Sequence, residues 1–155
     1  MWHIISIISG FIAGFFLMGH FCEPVLIKED FRANKYTFNF NYSCKWIRLL
    51  QEGKSLARYF IDNQIEEVAI YGMGELGKRL YEDLRMSNVK VTYVIDRDKN
   101  LQSENYRLLS PESEFPPMEL IIVTAAFEFE EIEKKLREKT TAKIISLKDI
   151  IDGIA

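Results

Sequence analysis

From residue 67 onward, apolar runs of strand length alternate with stretches whose apolar residues recur every three to four positions. These two periods separate buried strands from amphipathic helices. Val68-Ala69-Ile70-Tyr71, closed by Gly72, suits a strand buried on both faces. Leu76, Leu80 and Leu84 at four-residue spacing predict a helix over residues 75–85. A second strand is predicted at 89–95 and a third at 119–124, where Leu120-Ile121-Ile122-Val123 is uninterrupted apolar sequence. Between them, residues 97–118 read as a polar, proline-containing crossover with a short strand at 106–109. The next helix, 127–139, carries acids in its first half (Glu128, Glu130, Glu131, Glu133) and bases in its second (Lys134, Lys135, Arg137, Lys139), as the helix dipole favours. A fourth strand at 142–146 and a short helix at 147–151 follow. Alternation of this kind predicts a parallel sheet covered by helices on both faces.

The first part of the chain follows a different pattern. Residues 1–21 contain no Asp, Glu, Lys or Arg, and their apolar side chains are spread around every helical face. At 1.5 Å per residue such a helix reaches ~30 Å, enough to span a bilayer core. A transmembrane helix is therefore predicted at 1–21. A cleaved signal peptide fits less well: no basic residue opens the segment, and Gly19, His20 and Phe21 precede Cys22. Lys28, Arg32 and Lys35, then Lys45 and Arg48, follow the segment, so the positive-inside rule places the N-terminus outside and the folded part in the cytoplasm. Gly10 and Gly14 form a G-x-x-x-G, a spacing that lets two membrane helices approach closely as a homodimer. Residues 22–42 read as a connector. Its aromatics, Tyr36, Phe38, Phe40 and Tyr42, alternate with polar residues at the period of a strand. Tyr42, Trp46, Leu49 and Leu50 instead form a helical stripe, and helices are predicted at 42–52 and 55–63 with a break at Gly53.

Composition adjusts this picture in a few places. The 155 residues carry a net charge of −3, which argues against a general nucleic-acid binder. The two cysteines, Cys22 and Cys44, form no C-x-x-C pattern, so neither a disulfide framework nor a zinc site is suggested. Both histidines, His3 and His20, fall in the uncharged segment. The cytoplasmic body thus lacks the side chain most used in acid–base catalysis and metal binding. With no Tyr-x-x-x-Lys pair and no serine nucleophile elbow either, no catalytic residue and no metal ligand is assigned.

The chemistry that can be assigned lies in Gly72-Met73-Gly74-Glu75-Leu76-Gly77, a complete G-x-G-x-x-G between a predicted strand and a predicted helix. Gly72 would allow the tight turn, Gly74 would let a phosphate reach the backbone, and Gly77 would let the helix pack on the strand. The helix start offers unpaired N–H groups to an anion. Asp96, at the end of the second strand and nineteen residues beyond Gly77, stands where a dinucleotide-binding domain places its ribose-binding carboxylate. Arg97 leaves NAD against NADP open and a nucleotide-sugar is an equal choice, while Thr124 would form the opposing wall. Glu75 is unfavourable for a pyrophosphate unless it points away; Lys78 and Arg79 lie one step on to offset it. Only four main strands are predicted, so the second mononucleotide half of a complete domain is expected to be missing.

These segments together carry a resemblance. Gly53-Lys54-Ser55-Leu56, the run from Ile70-Tyr71 through the glycines to Lys78-Arg79-Leu80-Tyr81-Glu82, Val94-Ile95-Asp96-Arg97, Ile121-Ile122-Val123-Thr124 and Ile144-Ile145-Ser146-Leu147 resemble small Rossmann-like domains of bacterial surface-polysaccharide and sugar-modifying proteins. Residues 43–152 are similar to the N-terminal nucleotide-sugar-binding domain of sialic-acid-type O-acetyltransferases and to short membrane-tethered relatives. The resemblance implies ligand contacts at Gly72, Gly74, Gly77 and Asp96. It does not extend to acetyl transfer, because the hexapeptide-repeat domain is absent from the sequence.

The expectation is thus an α/β chain: a transmembrane helix at 1–21, a connector at 22–42, and a three-layer Rossmann-like domain at 43–155 with a mainly parallel sheet of about four strands. The expected function is a membrane-anchored nucleotide- or nucleotide-sugar-binding module with a sensing or accessory role in envelope polysaccharide synthesis. Two other readings are a minimal NAD(P)-dependent oxidoreductase or sugar-modifying subunit that needs a partner, and an interaction scaffold whose glycine turn is empty.

Overall fold

Strand-length apolar runs without polar interruption cannot leave either face in water, and in the computed structural model they form the interior of a sheet. The structure describes residues 28–101 and 105–155. It divides into two units, Met1–Phe38 and Asn39–Ala155, and the sheet belongs to the second. Five strands, β1 (Glu67–Tyr71), β2 (Lys90–Ile95), β3 (Arg107–Leu109), β4 (Leu120–Val123) and β5 (Lys143–Ser146), lie in the order β3-β2-β1-β4-β5, and every pairing is parallel. The short stretch in the crossover is thus a fifth strand on the sheet edge. β4 and β5, both predicted from the sequence, lie beyond β1 on the side away from β2. The strand order and parallel pairing are compatible with a Rossmann-like fold.

Among the described residues there are five α-helices and one 3-10 turn. Residues 28–51 form α1; α2 is Leu56–Asp62, α3 Glu75–Arg85, α4 Phe129–Arg137 (after a 3-10 turn at Ala126–Glu128) and α5 Leu147–Ile154. The strand-like aromatic alternation in the predicted connector is overruled, since residues 28–42 are helical. In the second unit the helical stripe wins because it has a face to bury: Trp46 is 4% exposed and Leu49 2%. A strand there would have put half of its apolar residues on the wrong side.

Alternate residues of each strand feed two cores. Val68 and Ile70 join Phe60, Leu80, Leu84, Trp46 and Ile150 on the α2–α3–α5 side, while Ala69 and Tyr71 join Ile132, Leu136 and Ile144 on the α4 side. Two polar clusters fix the outer helices. Ser55 caps α2 by accepting from the Ala57 N–H at 3.1 Å, and its hydroxyl donates to Asp83 of α3 at 3.0 Å. The Asp83 carboxylate also accepts from the Leu56 N–H at 3.1 Å. At the other end of the layer, Asp152 of α5 accepts from Lys45 at 2.6 Å, from Lys148 at 2.8 Å and from Tyr42 at 3.2 Å, which ties α1 to α5.

That cluster gives a pH-dependent prediction. Partial burial raises the Asp152 pKa, but the hydrogen bonds from Lys148, Lys45 and Tyr42 outweigh it and hold the carboxyl at about 2. A group with a depressed folded pKa stabilises above its unfolded value of ~3.9 and loses that contribution as pH falls toward the folded one. Asp152→Asn should therefore cost about 1 kcal/mol at pH 7, after allowance for solvent screening, with the difference shrinking as pH drops from 4 to 2. Urea denaturation of the two proteins across that range checks it.

The predicted transmembrane segment, 1–21, lies outside the described residues. Among the described residues no helix is long and apolar enough to cross a membrane.

Candidate functional site

At the carboxyl end of β1 the chain must turn sharply to start α3, and the three motif glycines meet that demand in three different ways. Gly72 sits at φ +93°, a conformation L side chains rarely adopt, and a Cβ there would stand 2.9 Å from the Thr124 hydroxyl. Gly77 has ordinary helical geometry but no room: a Cβ would lie 2.1 Å from the Gly72 carbonyl oxygen. Gly74 has neither constraint, with φ −67° and nothing within 4 Å of a built Cβ. Two of the glycines are required by the fold, and the third faces open space.

Neighbouring strands brace the turn. The Gly72 N–H continues the ladder to the Ile95 carbonyl at 2.8 Å. The Met73 N–H donates to Asp96 Oδ2 at 2.5 Å, and Met73 itself is buried. Thr124, at the end of β4 and 4% exposed, donates its hydroxyl to the Gly72 carbonyl at 2.6 Å. Leu76, the remaining motif position, buries its side chain in the α3-side core. Thr124 is therefore a strut of the turn, and its hydroxyl is already committed.

Asp96 serves the turn and retains capacity. Its Oδ1 accepts from the Asp98 N–H at 2.8 Å while Oδ2 holds Met73. An ionised carboxylate has about four acceptor sites, so two remain for the hydroxyls of a ribose. The first-turn N–H groups of α3 have no intrahelical partner, and Gly74, its N-cap, supplies no side-chain cap. These N–H groups and Asp96 stand at the carboxyl ends of β1 and β2, beside β4. Between β1 and β4 the strand order reverses direction, which is where open α/β sheets form their binding crevice.

The charged neighbours are sorted to either side. The Glu75 side chain is 81% exposed and pairs with Lys78 at 3.7 Å. It also borders a groove between α3 and α1. Arg97 is held on the α4 side: a hydrogen bond with the Tyr71 hydroxyl raises its pKa, and the nearby Glu128 and Glu131 act in the same direction. The Tyr71–Arg97 contact was not legible from the sequence, because it joins the last residue of β1 to the loop after β2. Among the described residues no cluster of His, Cys, Asp and Glu could hold a metal ion.

The structure thus brings Gly72, Met73, Gly74, Leu76, Gly77, Asp96 and Thr124 into one turn, with Glu75 directed outward and Arg97 drawn toward α4. Sequence reasoning also missed the α1–α3 groove, of about 770 Å³, lined by Ser43, Trp46, Ile47 and Leu50 opposite Glu75, Lys78, Arg79, Glu82 and Asp83. The amphipathic stripe containing Trp46 was its only sequence signal. Comparison with protein-family models, with curated proteins and with solved structures finds no match to the chain.

Proposed function

We propose that this chain is a nucleotide-binding module that receives the phosphates of NAD(P) or a nucleotide-sugar at the Gly72–Gly77 turn, with Asp96 on the ribose. Gly74 carries the reading. The fold does not need a glycine there, yet the position has an open approach to uncapped N–H groups at a helix start, beside a carboxylate with acceptor sites to spare. A phosphate is the ligand that uses both the open backbone and the positive end of the helix. Arg97 is the residue that would meet a 2′-phosphate, on release from Tyr71.

The wider role rests on the sequence. The uncharged segment 1–21 supports a membrane-anchored module with its C-terminal domain in the cytoplasm. The resemblance to sugar-modifying domains supports a sensing or accessory role in envelope polysaccharide synthesis. No catalytic constellation is assigned, so the reading is a binding function and not a turnover.

Thermal unfolding of the full-length protein in the presence of NAD, NADP or a UDP-sugar tests it. At about 100 times its dissociation constant a ligand should stabilise the fold by ~2.7 kcal/mol. For a domain of this size that corresponds to a rise of about 5–10 °C in melting temperature. An unchanged melting temperature with each of the three at millimolar concentration would sink the proposal.

A further inference from the structure

Within the second unit, α1 has two apolar faces. Tyr42, Trp46 and Leu49 pack inward. Phe40, Ile47 and Leu50 stay outside, at 68%, 54% and 50% exposure. With Ser43 they form the series 40, 43, 47, 50, whose alternating steps of three and four are the seam spacing of a heptad repeat. Scattered exposed apolar residues need no explanation. Here three share one stripe, and Ile47 and Leu50 also line the α1–α3 groove. Trp46 lines it as well, and its indole Nε1 is the buried side-chain nitrogen or oxygen left without a hydrogen-bond partner among the described residues.

We propose that a second copy of this chain docks on this surface, the two α1 helices lying parallel along the 40–43–47–50 seam. A stripe with this spacing is complemented by a helix of the same spacing, and α1 itself is one. A two-fold pair sets each seam residue against its own copy, so any charge on the seam would be repelled by symmetry. The seam carries none, and neither do its flanks, Asn39 and Trp46 on one side and Cys44 and Gln51 on the other. Ile47 and Leu50 occupy successive seam positions in the β-branched and γ-branched order that favours two parallel strands. The parallel arrangement also sets both N-terminal ends on one side, as two chains anchored in one membrane through residues 1–21 require. The proposal does not depend on nucleotide binding.

Site-directed cross-linking of the full-length protein in phospholipid vesicles tests it. In a background of Cys22→Ser and Cys44→Ser, the seam variants Phe40→Cys and Ile47→Cys should form disulfide dimers at least tenfold faster than Arg58→Cys, an exposed position on α2. The preference should survive Gly10→Leu with Gly14→Leu, which removes the small-residue pattern of the uncharged segment. Ile47→Lys with Leu50→Lys should lower the yield at Phe40→Cys at least tenfold without lowering the melting temperature, because both side chains are half exposed. Equal rates at the seam and at position 58 would overturn the proposal. So would a yield indifferent to the two lysines, or a preference lost with Gly10 and Gly14, which would assign the pairing to residues 1–21.

Discussion

Gly77→Ala is expected to destabilise the protein by about 3 kcal/mol, although alanine is the better helix former. In an exposed helix the exchange would gain about 1 kcal/mol of propensity. Here the added methyl would lie 2.1 Å from the Gly72 carbonyl oxygen and 3.0 Å from its carbon. Both are backbone atoms, and they cannot swing aside as the end of a side chain would. The Gly72 carbonyl also accepts from Thr124 at 2.6 Å, so moving it strains the contact between β1 and β4 as well. Overpacking of this kind costs about 1–3 kcal/mol and more where backbone must shift. Gly74→Ala provides the control, because its Cβ meets nothing within 4 Å and its φ is ordinary; loss of a glycine N-cap should cost under about 1 kcal/mol. Urea denaturation of the two variants decides the matter. Equal stabilities would show that α3 does not pack against the turn at this distance.

The contrast between these glycines explains what could be read from the sequence. The motif specified a strand-to-helix turn, and Gly72, Gly77 and Asp96 occupy the positions that such a turn gives them. β1 and β4 were legible because short apolar runs, the first closed by Gly72, suit strands covered on both faces. α3 was legible from leucines at four-residue spacing, and α4 from acids in its first half and bases in its second. The sequence was least informative where an outcome depends on residues distant in the chain. Phe38, Phe40 and Tyr42 match the period of a strand, and only the buried seats of Trp46 and Leu49 make the segment a helix. β3, read from the sequence as a short strand at 106–109, has only three residues and pairs with the edge of β2. The outward direction of Glu75, the hold of Tyr71 on Arg97 and the commitment of the Thr124 hydroxyl to Gly72 are likewise tertiary facts. The position of Thr124 at the end of its strand assigned it to the wall of the site; its hydrogen bond shows that it also braces the turn.

Gly74→Val should separate ligand binding from folding. A valine at this N-cap has an allowed φ and open space around its Cβ, so its stability cost should stay near 1 kcal/mol. Its two methyl groups would nevertheless stand over the first turn of α3, where a phosphate must approach to within hydrogen-bonding distance of the N–H groups. Loss of one or two charge-assisted hydrogen bonds, each worth roughly 1.5–3 kcal/mol, predicts at least about tenfold weaker binding of whichever nucleotide stabilises the native protein, since 1.4 kcal/mol corresponds to a factor of ten. Asp96→Ala would separate the two effects less clearly, because it also releases the Met73 and Asp98 N–H groups. Calorimetric titration of the native and Gly74→Val proteins, with melting curves on the same samples, gives both quantities. Native-like affinity in a folded Gly74→Val protein would place the ligand away from the glycine turn.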